Sequence, residues 1–269
     1  MYSVDKVKLY VYGVKLPMVQ SIMNNLSIDT MVKAYESYKI TACRYNYIIE
    51  SNIATVYLGI EPNWCKDKNK LFRDIIIEYN PNKIELKTVS QLQFLKCINK
   101  GRIEIKSMDI AVDIMDVDIT SLIVYKRHGN EYKATIEHNN LETLYLGSFG
   151  KNGHIKIYNK SKEQNKKSLI WTRFEITYKN LGFMDIKSTD VIEETKLPII
   201  LKINQNINIE NLKGTDKYLI LTSMQNIELL TLLDRRKSKK IKEYHSKYLE
   251  QLDIDKKEII KVYKNFKII

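Results

Sequence analysis

Three short segments in the middle of the chain alternate polar and apolar residues with a period of two. They are Ser107–Ile114, His154–Lys160 and Thr172–Thr177. Because successive side chains of a β-strand point to opposite faces, this period predicts strands that are apolar on one face and polar on the other. If the strands share a sheet, one face is covered by helices and the other stays open to solvent or a ligand.

The polar face of these strands would gather acids, bases and a tyrosine. The residues that the alternation places there are Asp109, Asp113, His154, Lys156, Tyr158, Lys160, Arg173, Glu175 and Thr177. Carboxylates are preferred ligands of Mg²⁺ and Mn²⁺, and such an ion polarises a phosphodiester. A tyrosine hydroxyl can attack phosphorus and form a covalent intermediate. The pattern therefore indicates phosphodiester chemistry, although a half-solvated antiparallel strand alternates in the same way without any chemistry.

Each residue receives a role in this hypothesis. Tyr158 is the predicted nucleophile, and Lys156 and Lys160 flank it on the same face, where they would hold phosphate and lower the phenol pKa. The predicted ligands of Mg²⁺ or Mn²⁺ are Asp109, Asp113 and Glu175. Tyr145 is the rival nucleophile, but packing is the preferred interpretation of its side chain.

The charge of the chain indicates a polyanionic partner. The 269 residues carry a formal net charge of +12. Residues 235–269 hold twelve Lys or Arg and five Asp or Glu, which is +7 of that total. A concentrated basic end is more typical of a surface that binds nucleic acid or anionic lipid than of a uniformly solvated exterior. The predicted DNA-binding residues are Arg173, Arg235, Arg236, Lys237, Lys239 and Lys240. Because arginine is scarce in this chain, Arg173 is expected to pair either with phosphate or with a carboxylate.

The remaining pattern predicts an α+β fold. We expect a mainly antiparallel sheet with helices on one face and a catalytic cleft on the other, followed by a basic C-terminal helical segment. Helices are predicted near residues 18–26, 91–99 and 223–250. A boundary near residue 215 is expected to separate a catalytic domain (1–215) from a basic helical accessory segment (216–269). No apolar run approaches the roughly 18 residues of a membrane span, so a cytoplasmic protein without a membrane partner is expected.

Several segments resemble the replication initiation factor family, the initiators of certain rolling-circle plasmids together with relaxase-like proteins of conjugative transposons. They are Ile77-Glu-Tyr-Asn-Pro-Asn-Lys83, Met108-Asp-Ile-Ala-Val-Asp113, Glu142-Thr-Leu-Tyr-Leu-Gly-Ser148, Ile155-Lys-Ile-Tyr-Asn-Lys160 with Glu163, and Trp171-Thr-Arg-Phe-Glu-Ile176. The sequence departs from the family pattern at Met108 and Lys156, where Arg is common, and at Phe149-Gly150, where basic and polar residues are expected.

The resemblance implies that Tyr158 becomes linked to a 5′-phosphate while a 3′-hydroxyl is freed to prime synthesis, with a divalent ion held by acids such as Asp109 and Glu175. It also implies origin DNA, partly melted to single strand, as the substrate, a homodimer, and a host helicase and polymerase as partners. The alternatives are a mobilisation relaxase with the same chemistry, a non-catalytic DNA-binding regulator on the same fold, and an unrelated basic structural protein.

Overall fold

The chain forms an α+β fold with a mainly antiparallel sheet, as predicted. The computed structural model describes residues 1–12, 32–33, 47–50, 54–60, 72–83, 102–125, 132–137, 140–166, 168–203, 214–225 and 232–268. The chain divides into two compact units. The first contains Met1, Val112–Glu175 and Lys196–Asp255, and the second contains Tyr2–Ala111, Ile176–Thr195 and Lys256–Ile269.

The strands are β1 (Tyr2–Tyr12), β2 (Val32–Lys33), β3 (Tyr47–Glu50), β4 (Ala54–Ile60), β5 (Phe72–Tyr79), β6 (Arg102–Met115), β7 (Leu122–Tyr125), β8 (Tyr132–Glu137), β9 (Asn140–Leu146), β10 (His154–Asn159), β11 (Trp171–Phe183), β12 (Ile199–Lys202) and β13 (Glu250–Leu252). The helices are α1 (Lys160–Glu163), α2 (Asp190–Glu194), α3 (Gly214–Gln225), α4 (Arg235–Tyr248) and α5 (Lys256–Asn265). Strands β6 and β11 contribute residues to both units, because the division falls within each of them.

The second unit is built on the strand order β2-β3-β4-β5-β1-β6-β11. Strands β1 and β5 pair antiparallel with Leu9 opposite Ile77, and both side chains are fully buried. Helix α5 packs on β1 and on α2. Lys187 donates hydrogen bonds to the carbonyl oxygens of Tyr263 and Lys264, at 3.2 and 3.0 Å, and to that of Phe266. These acceptors lie in or just beyond the last turn of α5, where backbone carbonyls lack helical partners.

The first unit contains the order β6-β11-β10-β9-β8 and a small sheet with the order β13-β12-β7. Strands β9 and β10 form an antiparallel hairpin in which Tyr145 lies opposite Lys156 and Thr143 opposite Tyr158. Leu144, Leu146, Ile155 and Ile157 of the hairpin are buried. The hairpin thus supplies a buried apolar side, and the polar residues alternate with it as the sequence predicts.

Helices α3 and α4 pack around the buried side chain of His245. Its Nδ1 atom lies 2.7 Å from the Tyr125 hydroxyl, and its Nε2 atom lies 3.1 Å from the Ser223 hydroxyl. Ser223 donates its single proton to the Ile220 carbonyl at 2.9 Å. Nε2 therefore carries a proton and donates to Ser223, and Nδ1 accepts from Tyr125, which is the neutral form of the ring.

The boundary near residue 215 stays a prediction, and the C-terminal part of the chain contributes to both compact units. Residues 196–255 cluster with the first unit, because β12 pairs with both β7 and β13. Residues 256–269 cluster with the second unit, because α5 packs on β1. The helices predicted at 18–26 and 91–99 lie outside the described residues. Among the helices that the structure describes, none is long and apolar enough to cross a membrane.

Candidate active site

A short helix begins directly after the strand that carries Tyr158. Asn159 ends β10, and its side chain accepts a hydrogen bond from the Lys162 backbone amide at 2.9 Å. Asparagine is a favoured helix N-cap because its side-chain oxygen satisfies a free backbone amide of the first turn. The cap starts α1, which brings Lys160 and Glu163 back beside the tyrosine.

The Tyr158 hydroxyl lies in a network of charged groups within the first unit. It donates to Glu175 Oε1 at 2.5 Å and accepts from Lys160 Nζ at 3.3 Å. Lys160 also forms an ion pair with Glu163. The Lys156 ammonium lies 3.7 Å from the centre of the Tyr158 ring. The structure thus brings together the predicted nucleophile, both predicted lysines and the predicted ligand Glu175.

Burial and charge fix the protonation of this network. Tyr158 is only 4% exposed. Its burial, and then the hydrogen bond and charge of Glu175, raise the pKa of Tyr158 far above its ordinary value. Burial opposes ionisation of Glu163, but the hydrogen bond and charge of Lys160 outweigh it and lower the pKa of Glu163. The phenol is therefore protonated at neutral pH, the opposite of the lowered pKa expected from its flanking lysines.

Asp113 and Arg173 form a two-pronged ion pair. Arg173 Nε donates to Asp113 Oδ1 at 2.7 Å, and Arg173 Nη2 donates to Oδ2 at 2.9 Å. The Trp171 indole also donates to Oδ1 at 2.7 Å. The side chains are 11% and 9% exposed for Asp113 and Arg173, respectively. A predicted metal ligand and a predicted DNA contact are thus paired with each other and largely shielded from solvent.

Asp109, the remaining predicted ligand, belongs to the second unit. Burial raises the pKa of Asp109, although a hydrogen bond from Thr177 and the charge of Lys6 oppose this rise. Asp5 and Glu78 add to the increase through their negative charge. The Asp109 carboxylate is therefore a partly buried acid among other acids of its own unit.

The grouping of possible metal ligands can be compared with the predicted ion site within the described residues. In the part of the chain that the structure describes, no three His, Cys, Asp or Glu side chains form a group able to hold a metal ion. Asp113 directs both oxygens at Arg173. Mg²⁺ is often bound through one or two carboxylates together with substrate phosphates, and such an ion needs no larger protein group. Of the expected ligands, Glu175 is the one that contacts the Tyr158 hydroxyl.

Helix α4 carries the predicted DNA-binding cluster on its exposed surface. Arg235, Arg236, Lys237, Lys239 and Lys240 are all exposed, while Ile241 and His245 face the interior. The Asp234 side chain caps the helix by accepting from the Lys237 amide at 2.9 Å. The first turn has no acidic residue, so its cations oppose the helix dipole. Lys240 forms an ion pair with Asp216 at 2.6 Å.

Two features were missed or left without a role by the sequence analysis. Glu163 belongs to the segment that resembles the family, but the sequence assigned it no function. Its ion pair with Lys160 shows that it holds this lysine in position. The Asn80-Pro-Asn segment forms a turn in the second unit. Asn82 donates through its backbone to Asn80 Oδ1 and through its side chain to the Val4 carbonyl, both at 2.8 Å. This segment therefore ties the end of β5 to β1.

Tyr145, the rival nucleophile, is placed in an aromatic group. Its ring stacks on His154 with ring centres 5.9 Å apart and an interplanar angle of 26°. His154 is buried, and it also meets the edge of Phe149 at 5.6 Å and 83°. The contact agrees with the packing interpretation of Tyr145.

The chain matches no protein-family model and no curated protein sequence. Among solved structures, it is similar to that of a rolling-circle replication initiator protein from Geobacillus stearothermophilus. The TM-score is 0.41 and the sequence identity is 15%, over 66% of this chain and 74% of that chain.

Proposed function

We propose that this chain cuts and rejoins one strand of DNA through a covalent bond between Tyr158 and a 5′-phosphate. The observation that carries the proposal is the 2.5 Å hydrogen bond from the Tyr158 hydroxyl to Glu175, with Lys160 at 3.3 Å from the same oxygen. A hydroxyl bonded to a carboxylate base, with cations beside it, is the arrangement of an activated nucleophile.

Glu175 is the proton acceptor in the proposed reaction. The phenol is protonated before the reaction, so its proton must leave as the oxygen attacks. In the cleavage step, Tyr158 Oη forms a bond to phosphorus and passes its proton to Glu175. The bond from phosphorus to the 3′ oxygen breaks, and that oxygen leaves with the electron pair and takes a proton from water. Religation is the reverse of these changes.

Lys156 and Lys160 balance negative charge in this scheme. The phosphodiester accumulates negative charge as the nucleophile attacks, and preorganised cations in a site of low water content lower the energy of that state. Lys160 is buried and held by Glu163, so its position is fixed before DNA binds. The guanidinium of Arg173 is engaged in the ion pair with Asp113. In this scheme Arg173 therefore positions its strand, which also carries Glu175.

We include Mg²⁺ or Mn²⁺ in the proposal, with Glu175 as the residue of the first unit that would hold the ion. When bound, such an ion would polarise the phosphodiester. Support comes from the position of Glu175 at the nucleophile.

The biological role that we propose is initiation of rolling-circle replication. Origin DNA would be the substrate, the protein would act in the cytoplasm as a homodimer, and a host helicase and polymerase would use the freed 3′-hydroxyl. The exposed cations of α4 support duplex binding, because phosphate contacts position a protein on DNA. A mobilisation relaxase would use the same residues at a transfer origin.

A non-catalytic DNA-binding regulator is the second candidate. Tyr158 is 4% exposed and its pKa is raised, and both properties oppose attack on a phosphodiester unless DNA binding opens the site. The basic surface of α4 would serve such a regulator equally well.

Covalent trapping separates the two functions. Purified protein is incubated with Mn²⁺ and supercoiled plasmid carrying the DNA that flanks its coding sequence, and protein–DNA adducts are resolved under denaturing conditions. We expect an adduct and relaxed plasmid with the wild type and with Tyr145→Phe, and neither with Tyr158→Phe. An adduct that persists in Tyr158→Phe would refute the assignment of the nucleophile. Sequence-specific binding without any adduct would favour the regulator.

A further inference from the structure

The loop that joins β9 to β10 presents an exposed aromatic ring. Phe149 lies near its tip and is 89% exposed. Gly147, at the start of the loop, has φ +82°, a conformation that other residues rarely adopt. The chain thus turns sharply at the end of β9 and extends Phe149 into solvent.

Phe149 is supported from within the hairpin. Its ring meets His154 edge-on at 5.6 Å, and His154 in turn stacks on Tyr145 at 5.9 Å. His154 is buried, so the aromatic group formed by Tyr145, Phe149 and His154 is anchored in the hairpin. A phenylalanine has few rotatable bonds, and these contacts restrict it further. The exposed ring is therefore positioned in advance for a flat partner.

The aromatic group and the nucleophile share one face of the hairpin. Residues directly opposite in an antiparallel pair point to the same side, and Tyr145 lies opposite Lys156 while Thr143 lies opposite Tyr158. His154, Lys156 and Tyr158 alternate along β10 on that side. The four steps from His154 to Tyr158 span about 13 Å of strand. That length equals roughly four nucleotides at duplex spacing.

We propose that Phe149 stacks on an unpaired base of the DNA strand whose phosphate Tyr158 attacks. This inference rests on the proposed function and assigns the single-stranded substrate a second contact on the same hairpin. Lys151 beside the loop tip and Lys156 in the strand provide positive charge along the path of the backbone. Aromatic side chains that stack on bases, combined with cations that follow the phosphates, are how proteins bind single strands.

Single-strand binding tests the proposal independently of cleavage. The probe is a 20-nucleotide thymidine strand with a fluorescent label, titrated with wild type, Phe149→Leu, Phe149→Trp and Leu232→Ala, and read by anisotropy. Leu232 is the matched control, since it is an exposed apolar residue of the same unit at 80% exposure. A second probe replaces one thymidine with 2-aminopurine, whose fluorescence falls when an aromatic ring stacks on it.

Phe149→Leu is expected to weaken binding by about fivefold to a hundredfold and to remove the 2-aminopurine quenching. Phe149→Trp should bind at least as tightly as wild type, and Leu232→Ala should be unchanged. Equal binding of the thymidine strand by Phe149→Leu and wild type overturns the proposal. If Phe149→Leu instead lowers only self-association, the ring is a contact between copies and the proposal is wrong. The two proposals fail in different assays. If the protein does not nick DNA, the covalent-trapping assay shows no adduct, but the 2-aminopurine quenching by Phe149 is still expected. If Phe149 does not stack on a base, the quenching is absent while the adduct still forms.

Discussion

The substitution Asp113→Asn distinguishes a structural role for this acid from the role of metal ligand. The carboxylate accepts two hydrogen bonds from Arg173 and one from Trp171, at 2.7 to 2.9 Å. Asparagine keeps the shape and one acceptor oxygen but removes the negative charge. The Arg173 cation then stays in a largely buried position without its counter-charge, and one of its N–H groups faces a second donor.

The expected cost follows from the burial of the pair. Removing one partner of a buried ion pair destabilises a protein by about 3–5 kcal/mol, because the remaining charge is left uncompensated. Both side chains here are about nine-tenths shielded, at 11% and 9% exposure, so the full range applies. Adding Arg173→Met to Asp113→Asn removes the stranded cation as well. The double variant should therefore be more stable than the sum of the single losses predicts, by about 1–3 kcal/mol.

Urea unfolding followed by circular dichroism measures these changes, with Asp185→Asn, at an exposed acid, as the control. The Mn²⁺ concentration that gives half-maximal adduct formation is measured on the same proteins at a temperature at which all are folded. A stable Asp113→Asn variant that needs much more Mn²⁺ would refute the ion-pair assignment and restore Asp113 to the metal site. Strict additivity in the double variant would show that the two charges are not coupled.

Three further predictions address other parts of the molecule. Burial lowers the pKa of His245 below its ordinary value of 6.5, so the unfolded chain binds this proton more readily. The unfolding free energy should therefore fall as the pH decreases below about 6.5, by at most about 1.4 kcal/mol per pH unit, and His245→Gln should flatten that dependence in urea titrations at several pH values. Replacing the exposed α4 cations Arg235, Arg236, Lys239 and Lys240 with Gln should weaken the salt dependence of duplex binding. The slope of log affinity against log salt concentration should fall in magnitude by roughly two to four, because each lost phosphate contact removes about 0.9. An unchanged slope would exclude α4 from the interface. Lys187→Met should lower the unfolding free energy measured in thermal melts by about 1–3 kcal/mol. The backbone carbonyls at the end of α5 then lose the hydrogen bonds that the Lys187 ammonium donates to them. Lys179→Met, in the same unit, is the control.

The alternation of β6, β10 and β11 was sufficient to predict the strands and the face on which the polar residues lie. It could not predict partners, because a period of two assigns a side chain to a face and says nothing about its neighbours. A carboxylate was one of the two partners expected for Arg173, but the pattern could not identify that carboxylate as Asp113, which pairs with it across adjacent strands. The chemistry of Tyr158 was likewise only partly predictable, since its raised pKa depends on burial and on a hydrogen bond to Glu175 of the neighbouring strand, and the period of two specifies neither.

The sequence carries a clear local signal for the start of helix α1 but none for the short strands β12 and β13. Asn159 followed by a polar basic run is a recognisable helix start, and the cap that it forms was within reach of the sequence. Strands β12 and β13 were not predicted, because a four-residue apolar run and the segment Glu250–Leu252 carry no distinctive period. Those two strands tie residues 196–255 to the first unit.

The packing of α5 against β1 has a consequence for how the protein is made. One strand lies at the beginning of the chain and the helix that covers it lies near its end, within the same compact unit. During synthesis, β1 can pair with β5 once residue 79 has emerged, but its apolar side chains lack this cover until α5 has been translated. A contact between residues so far apart in the sequence slows folding and leaves aggregation-prone apolar surface exposed on the nascent chain. Removal of the last fifteen residues should accordingly yield a protein that depends on chaperones for solubility.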